Sequence, residues 1–529
     1  MKTLKNDWKL GAAVGTALSL GSAGAIAGPH GFDLHNVLNG ASASFAGTSI
    51  AHTEDPVSAV FGNPATLAQY FGGTHFMFGA TFYMPRAQMQ HDGSAGFAVT
   101  ELNSAYTQAS QISDGSTTTV AGPGLSSFGD DSDAYAFDSR SAQDLYAVPQ
   151  VAVTQDLSGL GIPVVLGVGV TATNGIGVDY QHSSNSIGAA AELINLGVNA
   201  GIGMKMSDTL DVGVALTITY AMLEAGLTGS GTQKHDLGFR GTVGARKHMG
   251  PLTIGAYYMG ELEHQYANLH VTSMHGNSFA TTSADGTANA LSQSSGADNA
   301  AVNAAIKCNG DGTAELSAVC RQDLKVQQPW NVGLGMAMDM GNGMLVMADF
   351  THKAWSDAHF FNEFYDDQNV VSVGIQKTMG NMKLRAGYGY ADDPLLSQVK
   401  QGVEVATIGG VSVAGNTYSS PMYGLFMSYF QAMETPVIYK HRIAVGLGVE
   451  SFLGVPFLSL DAHAAVQLEE EKCFGSGQDS YTSSTFDTSQ AARGIAIQGG
   501  LASAGCAATD HTKATVSSFH MGGALTWAF

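Results

Sequence analysis

From Thr515 to the last residue the chain alternates strictly. Phe519, Met521, Leu525, Trp527 and the terminal Phe529 share one face, and Val516, Ser518, His520, Gly522, Ala524, Thr526 and Ala528 share the other. A side-chain period of two marks a strand whose faces meet different surroundings. Bulky apolar residues on one face, ending in a C-terminal aromatic, are the pattern of a barrel-closing strand in the bacterial outer membrane. Phe529 is accordingly the expected contact for the barrel-assembly machinery. This one feature predicts residence in the outer membrane beside its lipids, and it makes transport the first class of function to test.

Composition agrees. Of 529 residues only 13% are charged, against roughly a quarter in an average soluble domain. Glycine is abundant (67 residues), yet the mean hydropathy is only +0.05. No apolar run after the N-terminus is long enough for a transmembrane helix. Few charges with moderate polarity suit a sheet with one lipid face and one wet face. The net charge of −21 argues against nucleic acid as partner, because phosphate contacts need clustered Lys and Arg; it reads as acidic, solvated loops. The start resembles a secretory signal: Lys2, Lys5 and Lys9 precede the apolar stretch Leu10 to Ala23, and Ala25-Ile26-Ala27 fits a cleavage site. Residues 1–27 are therefore assigned to a signal peptide.

Alternation recurs along the chain. Leu210, Val212, Val214, Leu216, Ile218, Tyr220 and Met222 oppose Asp211, Gly213, Ala215, Thr217, Thr219 and Ala221. The pattern predicts fourteen strands, at 74–90, 146–157, 163–180, 189–206, 209–224, 235–248, 251–268, 328–341, 343–356, 369–379, 381–391, 438–452, 455–468 and 514–529. Short connections alternate with long ones (91–145, 269–327, 392–437 and 469–513), the turn-and-loop asymmetry of closed outer-membrane barrels. The fold class is thus all-β: a fourteen-stranded antiparallel transmembrane barrel over 74–529. Residues 28–73 show no long alternation and are expected to plug its interior as an N-terminal hatch, since a barrel this wide is either filled or open. Aromatic residues near strand ends, among them Tyr257, Tyr258, Tyr266, Tyr388, Tyr390 and Trp527, suggest interfacial girdles.

Four cysteines in an exported chain predict disulfides. They allow three pairings, and the two local ones, Cys308 with Cys320 and Cys473 with Cys506, each close a single loop. No metal or cofactor site is expected: the His264, His270, Met274, His275 cluster is the nearest to one, and the methionines fall mostly on lipid faces. The chain lacks Gly-x-Ser-x-Gly and any Ser-His-acid set the strand map would assemble, so no enzyme is predicted. The plug argues against a general porin.

The stretch Asp55-Pro-Val-Ser-Ala-Val-Phe61-Gly-Asn63-Pro64-Ala65-Thr-Leu67-Ala68 closely resembles the hatch of the FadL family of outer-membrane transporters for long-chain fatty acids and hydrocarbons. The likeness continues through Gly167–Tyr180, Trp330-Asn-Val-Gly-Leu-Gly, Ala348–Ser356 and Leu384–Tyr390. It implies a monomer that passes a hydrophobic small molecule by diffusion, with long-chain fatty acids as the first expectation and neutral hydrocarbons such as aromatics or alkanes as the alternative. It implies a gate at Phe61, Asn63, Pro64 and Ala65, and a kink in the third strand at Asn174, Gly175 and Gly177 through which ligand leaves sideways. Pro64 fixes φ and donates no hydrogen bond, and the Asn63 amide is free to bond strand groups at a wall gap. A ligand carboxylate wants a lumenal cation. Alternation turns Lys383, Arg385 and Arg442 inward as ligand-binding candidates, with Lys353 and Arg240 as weaker ones; the competing reading has them pair with Asp349 or Glu450 and hold the plug.

Overall fold

Backbone N–H and C=O groups find no partner in lipid, so strands that cross a membrane must be paired on both sides. The computed structural model meets this demand by closing a sheet on itself. It describes residues 36–92, 136–180, 182–183, 190–225, 233–269, 322–363, 365–396, 410–413, 416–419, 440–475, 505–507 and 510–529. Fourteen antiparallel strands form the wall: β1 (Thr74–Asp92), β2 (Tyr146–Asp156), β3 (Val165–Asp179), β4 (Ala190–Ser207), β5 (Leu210–Ala225), β6 (Lys234–Met249), β7 (Leu252–Met259), β8 (Asn331–Gly341), β9 (Met344–Lys353), β10 (Gln368–Met379), β11 (Met382–Ala391), β12 (His441–Val449), β13 (Leu458–Gly475) and β14 (Asp510–Ala528). Each pairs with its sequence neighbour, and β14 returns to β1 from His75↔Ala528 to His91↔Thr512. The seam ends on Phe529, whose N–H donates to Thr74 O (2.8 Å) while Thr74 N–H donates to Phe529 O (3.1 Å). The two faces separate as the alternation demands. On β5, Val214, Leu216, Ile218 and Tyr220 are exposed, whereas Asp211, Thr217, Thr219 and Ala221 are buried.

Three differences from the sequence reading have local causes. The stretch 251–268 is two strands: the alternation runs on, but the chain breaks at Gly260, and Leu262–Leu269 leaves the wall to pair with Gln322–Gln328 in a separate hairpin. Residues 328–330 accordingly end the hairpin rather than begin β8. Within the stretch 91–145, Ala136–Arg140 pairs with the outer end of β1. Of the supposed girdle, Tyr257 and Tyr266 are buried, while Tyr258, Tyr388 and Tyr390 are exposed.

Residues 36–72 lie inside the barrel. Their short helical pieces touch β10–β13 on one side and β1–β6 on the other, and nearly every residue from Asn36 to Ala68 is buried. Two Asx-Pro starts organise them. Asp55 caps α1 (Pro56–Phe61), accepting from Ser58 N–H and Ser58 Oγ at 2.8 Å each. It also accepts from Ala41 N–H (2.8 Å), folding the preceding turn onto the helix. Asn63 caps the 3-10 helix Pro64–Tyr70. An Asx cap followed by proline leaves no orphaned N–H at the first helical position. The wall is carved to receive this segment. Gly213 and Gly244 sit opposite each other on β5 and β6. A Cβ on Gly213 would land on the Pro64 carbonyl, and one on Gly244 on the Asn63 side chain. Farther round, Gly255 and Gly387 do the same for the backbones of Ile50 and Phe45. Gly244→Leu should therefore destabilise by about 1–3 kcal/mol through overpacking. The barrel is expected still to migrate as a heat-modifiable band but to unfold at a lower temperature than wild type, checked by a gel-shift melting series.

Candidate functional site

The wall is interrupted between β2 and β3. Their ladder runs from Asp156↔Val165 to Gln150↔Thr171 and stops there. Beyond it β2 stays with β1 as far as Tyr83↔Tyr146. β3 stays with β4 through Asp179↔Ala190, with a register shift between Ala172 and Asn174. The two sides meet again at Ala142 N–H to Asp179 O (2.7 Å) and Asp179 N–H to Ser141 Oγ (2.9 Å). Residues 146–149 and 172–178 thus face each other with no ladder pair. The chemistry of the edges fits: Pro149 offers no N–H, and Gly175 and Gly177 follow the bulge. A Cβ on Gly177 would strike the Tyr146 hydroxyl, so that ring lies across the opening against bare backbone.

The opening is stopped from inside. Leu38 packs with Tyr83, Tyr146, Val148, Ala172 and Ile194 in one buried apolar cluster, with Val37 and Met222 at its margin. Gln150, the last residue of β2 to pair with β3, holds this stopper. Its Nε2 donates to Leu38 O (2.5 Å) and its Oε1 accepts from Gly40 N–H (2.7 Å). Thr81 Oγ1 also donates to Leu38 O (2.8 Å). Thr171, opposite Gln150, donates from Oγ1 to Asn39 Oδ1 (3.0 Å). The segment is therefore tied to both edges where the ladder ends.

A second tie crosses the lumen near the short turns. Glu54 meets Lys383 (2.8 Å), Arg385 (3.5 Å), Gln376 Nε2 (3.1 Å) and His52 (3.0 Å). Lys383 also meets Glu450 (3.0 Å), and Arg385 pairs with Asp461 and donates to Gln376 Oε1 (2.7 Å). From His52 the chain of bonds continues to Gln69 (2.9 Å), then to Arg246, Asp211 and His248. It thus joins β11 and β13 to β5 and β6 through the N-terminal segment. Burial pushes the Glu54 carboxyl up, but the hydrogen bond with His52 and the charges of Lys383, His52 and Arg385 outweigh it and hold the group well below the usual carboxylate range.

The residues singled out from sequence fall into separate places. Lys383 and Arg385 point inward, onto Glu54. Arg442 lies on β12 opposite Gln467, away from that network. Asp349 accepts from Ser49 N–H (2.6 Å) and Ile50 N–H (2.9 Å), so it anchors main chain rather than a cation. Phe61 is buried beside Gly169 and Gly197. Asn63 does not reach the gap: its Nδ2 donates to Ile50 O (2.8 Å) and Ala245 O (3.3 Å), because the Pro64 turn seats on β5 and β6. Ala65 N–H donates to Asn63 Oδ1 (3.1 Å). Asn174, Gly175 and Gly177 do border the opening. Cys473 and Cys506 are joined; Cys308, Cys320 and the signal segment lie outside the described residues. Sequence reasoning missed Leu38, Gln150 and Glu54. Pro149 within a predicted strand was the available sign of an unpaired edge.

Fold and site together define a plugged, wall-interrupted β-barrel of transmembrane type. It has the fold of the FadL-type transporters: it superposes on the Pseudomonas putida toluene transporter TodX with TM-score 0.51 (14% identity, 94% of this chain and 99% of that one). It superposes on a Pseudomonas aeruginosa FadL homologue with TM-score 0.53 (12% identity, 93% and 98%). No family model and no curated protein matches the sequence.

The Glu54 pairs make a test. A carboxylate whose folded value is depressed stabilises fully above its unfolded value of about 4.3 and loses that contribution only as pH falls through the folded value. Wild-type protein in planar bilayers should be equally quiet at pH 7 and pH 5. Glu54→Gln, which strips two cations of a partner at a cost of about 3 kcal/mol, should show more frequent conductance bursts at both.

Proposed function

We propose that the protein is a passive outer-membrane uptake channel for hydrophobic small molecules, with residues 28–73 as its hatch and the β2–β3 opening as a sideways exit into the bilayer. The observation that carries this reading is the apolar stopper in an otherwise closed wall. An opening toward lipid is costly to the backbone unless something uses it, and Leu38 covers it with a side chain that a few hydrogen bonds hold. Ligand entering the lumen displaces residues 36–40, and the vacated cluster of Tyr83, Tyr146, Val148 and Ile194 offers it an apolar path outward. No energy source or covalent chemistry enters this scheme; the protein acts as a channel, not an enzyme.

Long-chain fatty acids are the ligand class we infer first, with neutral hydrocarbons as the alternative. The engagement of Lys383 and Arg385 with Glu54 and Asp461 favours a latching role for those two cations; Arg442, on β12 away from that network, is the candidate we retain for a ligand carboxylate. Arg385→Ala should leave fatty acid affinity within about twofold, whereas Arg442→Ala should weaken it; no loss in either would favour the hydrocarbon reading. The exit is tested in liposomes. Gln150→Leu removes the bonds to Leu38 and Gly40 and should raise uptake of a labelled fatty acid several-fold. Uptake at the wild-type rate would remove the stopper from the mechanism.

A further inference from the structure

A small cavity lies immediately behind the opening, lined by Asn36, Asn39, Phe61, Thr171, Ala172, Thr173 and Arg240. Its polar lining is unexpected next to an apolar exit. The adjoining wall is more unusual still. Asn174 and Asn195 stand opposite each other across β3 and β4, and both are fully buried. Neither the amide nitrogen nor the amide oxygen of either side chain has a hydrogen-bond partner. Asn199 Oδ1, Thr219 Oγ1 and Thr242 Oγ1, on the same inner face of β4 to β6, are likewise buried and unpartnered. Thr173, which lines the cavity, donates from Oγ1 to the Asn195 carbonyl (3.4 Å). Asn199, Thr217 and Arg240 form one row across β4, β5 and β6, so the cavity and the unpartnered groups share one patch of wall.

Each buried polar group left without a partner costs about 1–3 kcal/mol. Five side chains in one patch therefore point to an occupant. The unmet groups include donors (two amide nitrogens and two hydroxyls) and acceptors (three amide oxygens); exchanging N and O in Asn174 or Asn195 leaves that balance unchanged, and the donation from Asn199 Nδ2 to Val60 O (2.8 Å) fixes the third amide. A hydrocarbon meets none of them. A carboxylate accepts but does not donate, and would leave the amide oxygens unmet.

We propose that this cavity is a head-group site for an amphiphile whose polar end both donates and accepts hydrogen bonds, a hydroxyl or an amide, with its apolar tail directed at the Leu38 cluster. The proposal rests on the reading of the protein as an uptake channel for hydrophobic molecules and, at this site, puts a neutral polar head group in place of the carboxylate inferred above.

The test uses full-length protein in nanodiscs and four labelled probes of equal chain length: dodecanamide, 1-dodecanol, laurate and dodecane. Binding is measured against empty discs and an unrelated barrel. The amide and the alcohol are expected to bind about tenfold more tightly than dodecane, and more tightly than laurate. Asn195→Leu should abolish that preference while leaving dodecane binding unchanged. Thr219→Val, a milder change, should reduce it and keeps the test open if Asn195→Leu does not fold. Equal binding of all four, or a preference that survives both substitutions, overturns the head-group site and leaves ordered water as the occupant. Preference for laurate alone overturns the chemical class. Binding of none of the four would instead refute the uptake reading itself.

Discussion

Everything in this molecule follows from a backbone that has nothing to bond in lipid. Fourteen strands solve the problem collectively, and the solution fails unless the last strand finds the first. The Phe529–Thr74 bonds and the long register of β14 on β1 complete it. Against that requirement the unpaired stretch beyond Gln150 and Thr171 stands out as the place where the wall gives up ladder bonds. Proline and glycine at its edges lower the cost, and the N-terminal segment covers what remains.

The segment that covers the gap is held by two unlike sets of interactions. At the opening, neutral hydrogen bonds from Gln150, Thr81 and Thr171 fix a short apolar turn. Near the short turns, Glu54 gathers Lys383, Arg385 and His52 into a network that spans the lumen. Neutral bonds exchange readily with a ligand or water, each contributing only about 1 kcal/mol, whereas a buried charge resists losing its partner. The segment is thus loosely tied where ligand is proposed to pass and firmly tied at the other end. In the proposed scheme residues 36–40 move, giving up the bond from Asn36 Nδ2 to Ser58 O, while the Glu54 network stays in place.

How much of this was legible beforehand depends on what alternation encodes. Period two reports which face of a strand meets lipid, so the wall, the inward direction of Lys383 and Arg385 and the closing role of Phe529 could be read from residues alone. It does not report who pairs with whom. The run through 251–268 alternates without interruption, yet half of it belongs to another sheet. The Glu54 contacts lay beyond reach because they join residues more than three hundred positions apart across the lumen, and no periodicity records that. The likeness at Asn63-Pro64 located a real structural feature but gave it the wrong neighbour: the Asx-Pro turn docks on β5 and β6, while the unpaired edge is guarded by Leu38.

The glycines facing the N-terminal segment have one more consequence. Where Gly213, Gly255 and Gly387 meet it, contact is between main chain and main chain. If the segment withdraws, those stretches of wall carry no side chains that could swing inward and refill the space. The bore left behind would be set by the spacing of the strands themselves, a dimension that neither rotamer changes nor the size of the passing molecule can alter. Discrimination among cargoes must then come from the lining elsewhere, and the width at the glycine seats would behave as a constant of the architecture.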